Sequence, residues 1–217
     1  MGKFIVIEGG DGSGKTTQVA LLVDALKKEG VPVAHMKFPR KETFYGSYIY
    51  ECLDGKHGDF VHMDPYFAAL PYMLDQVGAK EDIKQALAKG HLICDRYVPS
   101  NLAHQAAKFK SAEEEREFIE FIESRTYDEF HAVRPDLVVF LDVPMSASTR
   151  LMQESQKNDA LEADLPYQES VRNIYRQLTA ERPHWRRVDC ATGGTLRSKA
   201  SIHQEILGIV REAIATT

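Results

Sequence analysis

Glu8-Gly9-Gly10-Asp11-Gly12-Ser13-Gly14-Lys15-Thr16-Thr17 is the stretch of this 217-residue chain whose residue types and spacing point most directly to chemistry. From Gly9 to Thr16 it matches G-x-x-x-x-G-K-[ST]. Glycines at these positions let the backbone curl so that successive N–H groups face an anion, and a helix starting here adds its positive end. Lys15 is placed to reach β- and γ-phosphates, and the Thr16 hydroxyl to ligate Mg²⁺. The loop Gly9, Gly10, Asp11, Gly12, Ser13, Gly14, Lys15, Thr16 and Thr17 is therefore the candidate site for the phosphates of a nucleoside triphosphate, expected to be ATP. A second group follows the apolar run Leu92-Ile93-Cys94, where Asp95 is joined directly to Arg96. The aspartate can hold a Mg²⁺ shell and the arginine can grip a second phosphate, a pairing that suits a kinase. Many motor ATPases place Glu after the Asp, and a GTPase carries Asn-Lys-x-Asp; neither is present. Asp75-Gln76-Val77-Gly78 matches D-x-x-G but sits inside a helical pattern, so it is read as coincidence.

Something must position these groups, and the pattern of apolar runs says what. Five short runs, Phe4–Ile7, Val31–Phe38, His91–Cys94, Leu137–Val143 and Trp185–Cys190, read as strands. The first and fourth are continuous and rich in Val and Ile, as parallel strands buried on both faces require. Between them lie helical patterns. Thr16–Glu29 carries Val19, Leu22, Val23 and Leu26 at helical spacing and ends at Gly30. Asp64-Pro65 reads as a cap followed by proline at the first helical position, opening one helix toward Lys89 with a kink expected at Pro71. Glu113–Phe130 is acidic on one face and apolar on the other, and a helix from about Thr195 to Ala215 closes the chain. Alternating strands and helices mean an α/β fold with a mostly parallel sheet, in a single domain spanning 1–217.

Composition narrows the function classes. Net charge is −5 and no basic run of five or more occurs, so nucleic acid is not an expected partner. No apolar run approaches a membrane span, and no membrane partner is expected. The N-terminus opens directly on a strand pattern, leaving no room for a signal peptide. Cys52, Cys94 and Cys190 lie far apart and read as reduced thiols of a cytoplasmic protein.

The chain resembles the thymidylate kinase family of P-loop nucleoside monophosphate kinases. The resemblance rests on the phosphate loop, Phe38-Pro39-Arg40, Asp95-Arg96-Tyr97 continuing to Asn101, Pro135-Asp136 before the Leu137–Val143 strand, and the Trp185–Cys190 strand followed by a helix. These occur in the family order over essentially the whole chain. The resemblance implies a five-stranded parallel sheet flanked by helices, a small mobile lid at about 150–164, Mg²⁺, transfer of the γ-phosphoryl of ATP to dTMP, and a homodimer. It also implies roles. Asp11 would reach the acceptor's sugar 3′-hydroxyl, Arg40 and Arg96 would hold its phosphate, and Phe38 and Tyr72 would wall the base. Asn101 would face the base, while Asp95 and Glu162 would serve the metal with Thr16. Family members carry a catalytic arginine in the phosphate loop or the lid; Ser13 in the middle of the loop brings no charge, so Arg150 or Lys157 would supply it. Three positions depart from the family. Gln76 stands where many members have arginine, His104 where a tyrosine is often found near the sugar, and Lys41 where a tyrosine often follows Phe-Pro-Arg. These changes bear on base and sugar selectivity, and a same-fold kinase of another (deoxy)nucleoside monophosphate is the alternative. A non-catalytic ATP-binding module is the further alternative, though such a module has no use for arginines that hold an acceptor phosphate.

Overall fold

A computed structural model describes residues 1–60, 62–145 and 165–215 of the protein. Strands β1 (Phe4–Glu8), β2 (Val33–Lys37), β3 (His91–Asp95), β4 (Leu137–Asp142) and β5 (Trp185–Asp189) form one sheet in the order β2-β3-β1-β4-β5, parallel throughout. Every residue of β1 and β4 is buried, which explains why these two runs are apolar without alternation. Helix α1 (Lys15–Lys28) buries Val19, Leu22, Val23 and Leu26, with Ile5, Ile7, Val139 and Leu141, on one side of the sheet. Phe4, Val6, Leu92, Val138 and Phe140 face the other side and meet helices α3 (Pro65–Gly78), α5 (Val98–Ala106) and α7 (Leu165–Glu181).

Three helix boundaries differ from the sequence reading, and two helices are additional to it. The segment after Asp64 is two helices, α3 and α4 (Lys80–Lys89), joined at Ala79. The Asp64 cap is present, its carboxylate accepting from the Tyr66 and Phe67 N–H groups, and α3 continues through Pro71 to end at Gly78. Here the Arg40 side chain packs so closely that a Cβ on Gly78 would meet its Nη2 at 3.2 Å. The acidic segment is α6 (Ala112–Glu123), capped by Ser111, which passes into a π-helical turn at Ser124–Glu129. The C-terminal helix α8 begins at Lys199; before it a hairpin pairs β6 (Ala191–Thr192) with β7 (Thr195–Leu196). Gly193 and Gly194, both at positive φ, make its two-residue turn. Finally, α2 (Phe44–Leu53) and α5 fill stretches for which no helix was expected.

Candidate active site

The β1–β3 register sets Ile7 beside Asp95, so the phosphate loop and the Asp95-Arg96 step leave the sheet side by side. Gly14 caps α1 in the left-handed region at φ 81°, a conformation that costs glycine nothing. Loop and step open into one cavity of about 700 Å³. It takes in the loop from Asp11 to Thr17, the aromatic side chains of Phe38 and Tyr72, and the carboxamides of Gln76 and Asn101. Asp95, Arg96 and His104 face it as well. Among the described residues, six of its lining side chains are basic, against the two carboxylates Asp11 and Asp95.

Lys15 lies over its own loop, its Nζ donating to the Gly9 and Gly10 carbonyls at 2.9 and 2.7 Å and to Ser13 Oγ at 3.3 Å. Burial, with the Arg96 charge nearby, lowers its pKa to about 8. Thr16 Oγ1 donates to Asp95 Oδ2 at 2.8 Å, and Lys37 Nζ lies 3.9 Å from the same oxygen. A hydroxyl and a carboxylate side by side are the hard oxygen donors that Mg²⁺ takes beside phosphates and water, so these residues fit the ion.

Arg96 adopts φ 69°, unusual for a residue with a Cβ. Its guanidinium is paired with Asp11 and donates to Ser100 Oγ at 3.2 Å. Burial would push the Asp11 carboxyl up, but the Arg96 cation beside it holds it well below the usual carboxylate range. Gln168 Nε2, on α7, reaches Asp11 Oδ2 at 3.4 Å.

Arg40 is placed differently. Its Nε donates to Asp75 Oδ1 at 2.9 Å, its Nη2 to the Asp75 carbonyl at 2.8 Å and its Nη1 to Asp82 at 3.1 Å. It does not line the cavity. The D-x-x-G match is thus a helical segment whose aspartate anchors an arginine. Arg150, Lys157, Glu162 and the lid stretch lie outside the described residues.

Sequence reasoning missed Glu8. This fully buried carboxylate accepts from Tyr97 N–H at 2.9 Å, Ser100 Oγ at 2.6 Å and Tyr175 Oη at 2.8 Å. Burial raises its pKa, opposed by the Arg96 charge. A carboxylate closing an otherwise apolar strand was the available signal. It also missed Lys108 and Tyr167, both on the cavity wall.

A triphosphate cradle and an arginine able to hold a second phosphate, opening on one cavity with an aromatic-walled recess, are what phosphoryl transfer between nucleotides needs; the class is that of the P-loop nucleoside monophosphate kinases. The family model described as thymidylate kinase matches residues 7–206. A probable thymidylate kinase of Thermococcus gammatolerans is 33% identical over 220 residues, covering 99% of this chain and 98% of that one. A thymidylate kinase of Pelotomaculum thermopropionicum is also 33% identical, over 98% of this chain and 94% of that one. The solved thymidylate kinase of Candida albicans superposes with a TM-score of 0.76 at 23% identity, over 97% of this chain and 92% of that one, and shares the fold. The chain belongs to the thymidylate kinase family.

Proposed function

We propose that this single-domain kinase transfers the γ-phosphoryl group of ATP to dTMP, giving ADP and dTDP, with Mg²⁺. The observation that carries the reading is that donor and acceptor groups share one cavity. Lys15 and the loop N–H groups hold the donor's phosphates, with Lys15 exchanging the Gly9 and Gly10 carbonyls for phosphate oxygens. Thr16 and Asp95 hold Mg²⁺, which when bound neutralises charge on the phosphate oxygens. Asp11 accepts from the acceptor's 3′-hydroxyl, and Arg96 holds its phosphate. Arg40 joins through Nη1, whose present partner Asp82 is largely exposed and held weakly. Arg150 or Lys157 supplies the charge that Ser13 does not, and Glu162 remains a candidate for the metal.

At the base, Gln76 Oε1 and Asn101 Oδ1 are buried without a hydrogen-bond partner among the described residues. Buried polar atoms are rarely left so, and an imide N–H of thymine would satisfy one of them. Phe38 and Tyr72 wall the ring. A kinase of another nucleoside monophosphate is the second reading, because a carboxamide also pairs with other base edges.

Phe44, Tyr45 and Tyr48 on α2 and Phe67, Leu70 and Leu74 on α3 are exposed apolar side chains, and they support a homodimer through these helices. A cytoplasmic setting accords with three buried free thiols. No helix among the described residues is long and apolar enough to cross a membrane. A coupled assay with ATP, Mg²⁺ and a panel of nucleoside monophosphates tests the function. Fast turnover of dTMP supports it. No consumption of any monophosphate refutes the kinase reading, and a faster non-thymine acceptor favours the second.

A further inference from the structure

Among the side chains that meet Arg96, His104 makes the contact the family pattern does not anticipate. It shares the inner face of α5 with Asn101 and Gln105, and its ring lies between two partners. Arg96 Nη1 is 3.1 Å from Nε2, and Tyr167 Oη is 3.3 Å from Nδ1. A guanidinium has only donors, so Nε2 must present its lone pair. The Tyr167 hydroxyl donates its hydrogen to the His104 carbonyl oxygen at 2.8 Å, so toward the ring that oxygen accepts and Nδ1 must carry the hydrogen. Two separate contacts thus require one form, the neutral Nδ1–H imidazole. Burial favours the same neutral form, lowering the ring's pKa to about 3; Asp11 opposes this, while Arg96, Lys15 and Lys108 assist it.

The other partners of the Arg96 guanidinium have further work. Asp11 is charged and is the group assigned to the acceptor's sugar. Ser100 Oγ donates to Glu8 at 2.6 Å and lies 3.2 Å from the Tyr175 hydroxyl, whose own hydrogen goes to Glu8. His104 alone among these three holds the guanidinium without offsetting its charge and without a second carboxylate to serve. We propose that His104, fixed as the Nδ1–H tautomer by Tyr167, is a positioning residue that aims the Arg96 guanidinium at the acceptor phosphate. This rests on the assignment of that phosphate to Arg96.

The test combines a spectrum with kinetics on the full chain. Long-range ¹H–¹⁵N correlation of histidine-labelled protein, with the His104 signals identified by their loss in His104→Gln, should show a protonated Nδ1 and a bare Nε2. That pattern should persist between about pH 7.5 and 5.5, because the folded pKa lies far below the ordinary value of about 6.5. An Nε2–H tautomer or an imidazolium in that range would overturn the proposal. In kinetics with dTMP, His104→Phe should raise the acceptor KM about tenfold, the scale of one charge-assisted hydrogen bond, with the ATP KM held within about twofold. His104→Gln, whose amide oxygen can reach the Nε2 position, should recover most of that loss. A loss shared equally by both substrates, or no recovery in His104→Gln, overturns it. Arg96→Lys separates the two assignments. If this change leaves the acceptor KM unmoved, the phosphate assignment to Arg96 has failed. If it raises that KM while His104→Phe does not, the role of His104 has failed.

Discussion

Replacing Glu8 with alanine tests the buried centre of the site. The carboxylate is fully buried and receives three donors, at 2.9, 2.6 and 2.8 Å, from the Tyr97 backbone, Ser100 and Tyr175. After Glu8→Ala, the Ser100 and Tyr175 hydroxyls can still bond to one another, as they already lie 3.2 Å apart. The Tyr97 N–H has no such substitute, and the cations of Arg96 and Lys15 lose a counter-charge. An orphaned buried donor costs about 1–3 kcal/mol, and breaking a buried charge network by removing one partner costs about 3–5 kcal/mol in all. For a chain of this size about 1 kcal/mol moves the melting temperature by roughly 2–4 °C, so Glu8→Ala should melt on the order of 10 °C lower. Glu8→Gln keeps an acceptor for Tyr97, and its amide can donate to either hydroxyl, so it should lose about half as much. Ligand-free thermal unfolding followed by circular dichroism, with urea midpoints as a check, measures both. A Glu8→Ala melt within about 2 °C of the parent, or a Glu8→Gln loss equal to that of alanine, would refute the reasoning.

Lys15→Ala should lower kcat by about 10²–10³-fold or more, the scale of removing one preorganised donor to developing charge, and unchanged turnover would remove its assigned role. Gln76→Arg should raise the preference for dTMP over other monophosphates in the panel assay; an unchanged ranking would put base selectivity elsewhere. For pH, His104 binds its proton in the unfolded chain near the ordinary value of about 6.5 but in the folded protein only at about 3. Between these values the unfolded state holds the extra proton, so stability falls as pH falls, by at most about 1.4 kcal/mol per unit from this group. Burial lowers His35, His91 and His184 as well, so urea midpoints at about pH 7 and 5 should show a smaller slope in His104→Gln, not a vanished one.

The legible parts of this molecule were those whose cause is local. The phosphate loop announces itself by glycine spacing between an apolar strand and an amphipathic helix, and β1 and β4 announce themselves by unbroken burial. Helix α5 hides because its inner face carries Asn101, His104 and Gln105, so its polarity is inverted where it meets the cavity. The break at Ala79 and the seat of Arg40 are one event, a contact between residues far apart in sequence that single-segment periodicity does not register. Glu8 stands one residue before the motif, yet its donors come from 89, 92 and 167 residues away. The hairpin at Gly193-Gly194 did carry its usual two-glycine signal, and the strong helical pattern after it drew the reading too far back.

The basic lining of the cavity acts at longer range than any contact in it. The chain carries a net charge of −5, whereas among the described residues six basic and two acidic side chains line the cavity. Approaching nucleotides, themselves polyanions, are therefore repelled by most of the surface and drawn toward one opening. Charge separated in this way guides diffusion and raises encounter rates, an effect that salt weakens over a Debye length of about 10 Å at 0.1 M. Ionic strength should consequently slow capture of both substrates while leaving the transfer between bound substrates much less affected, because the distances within the site are shorter than that screening length.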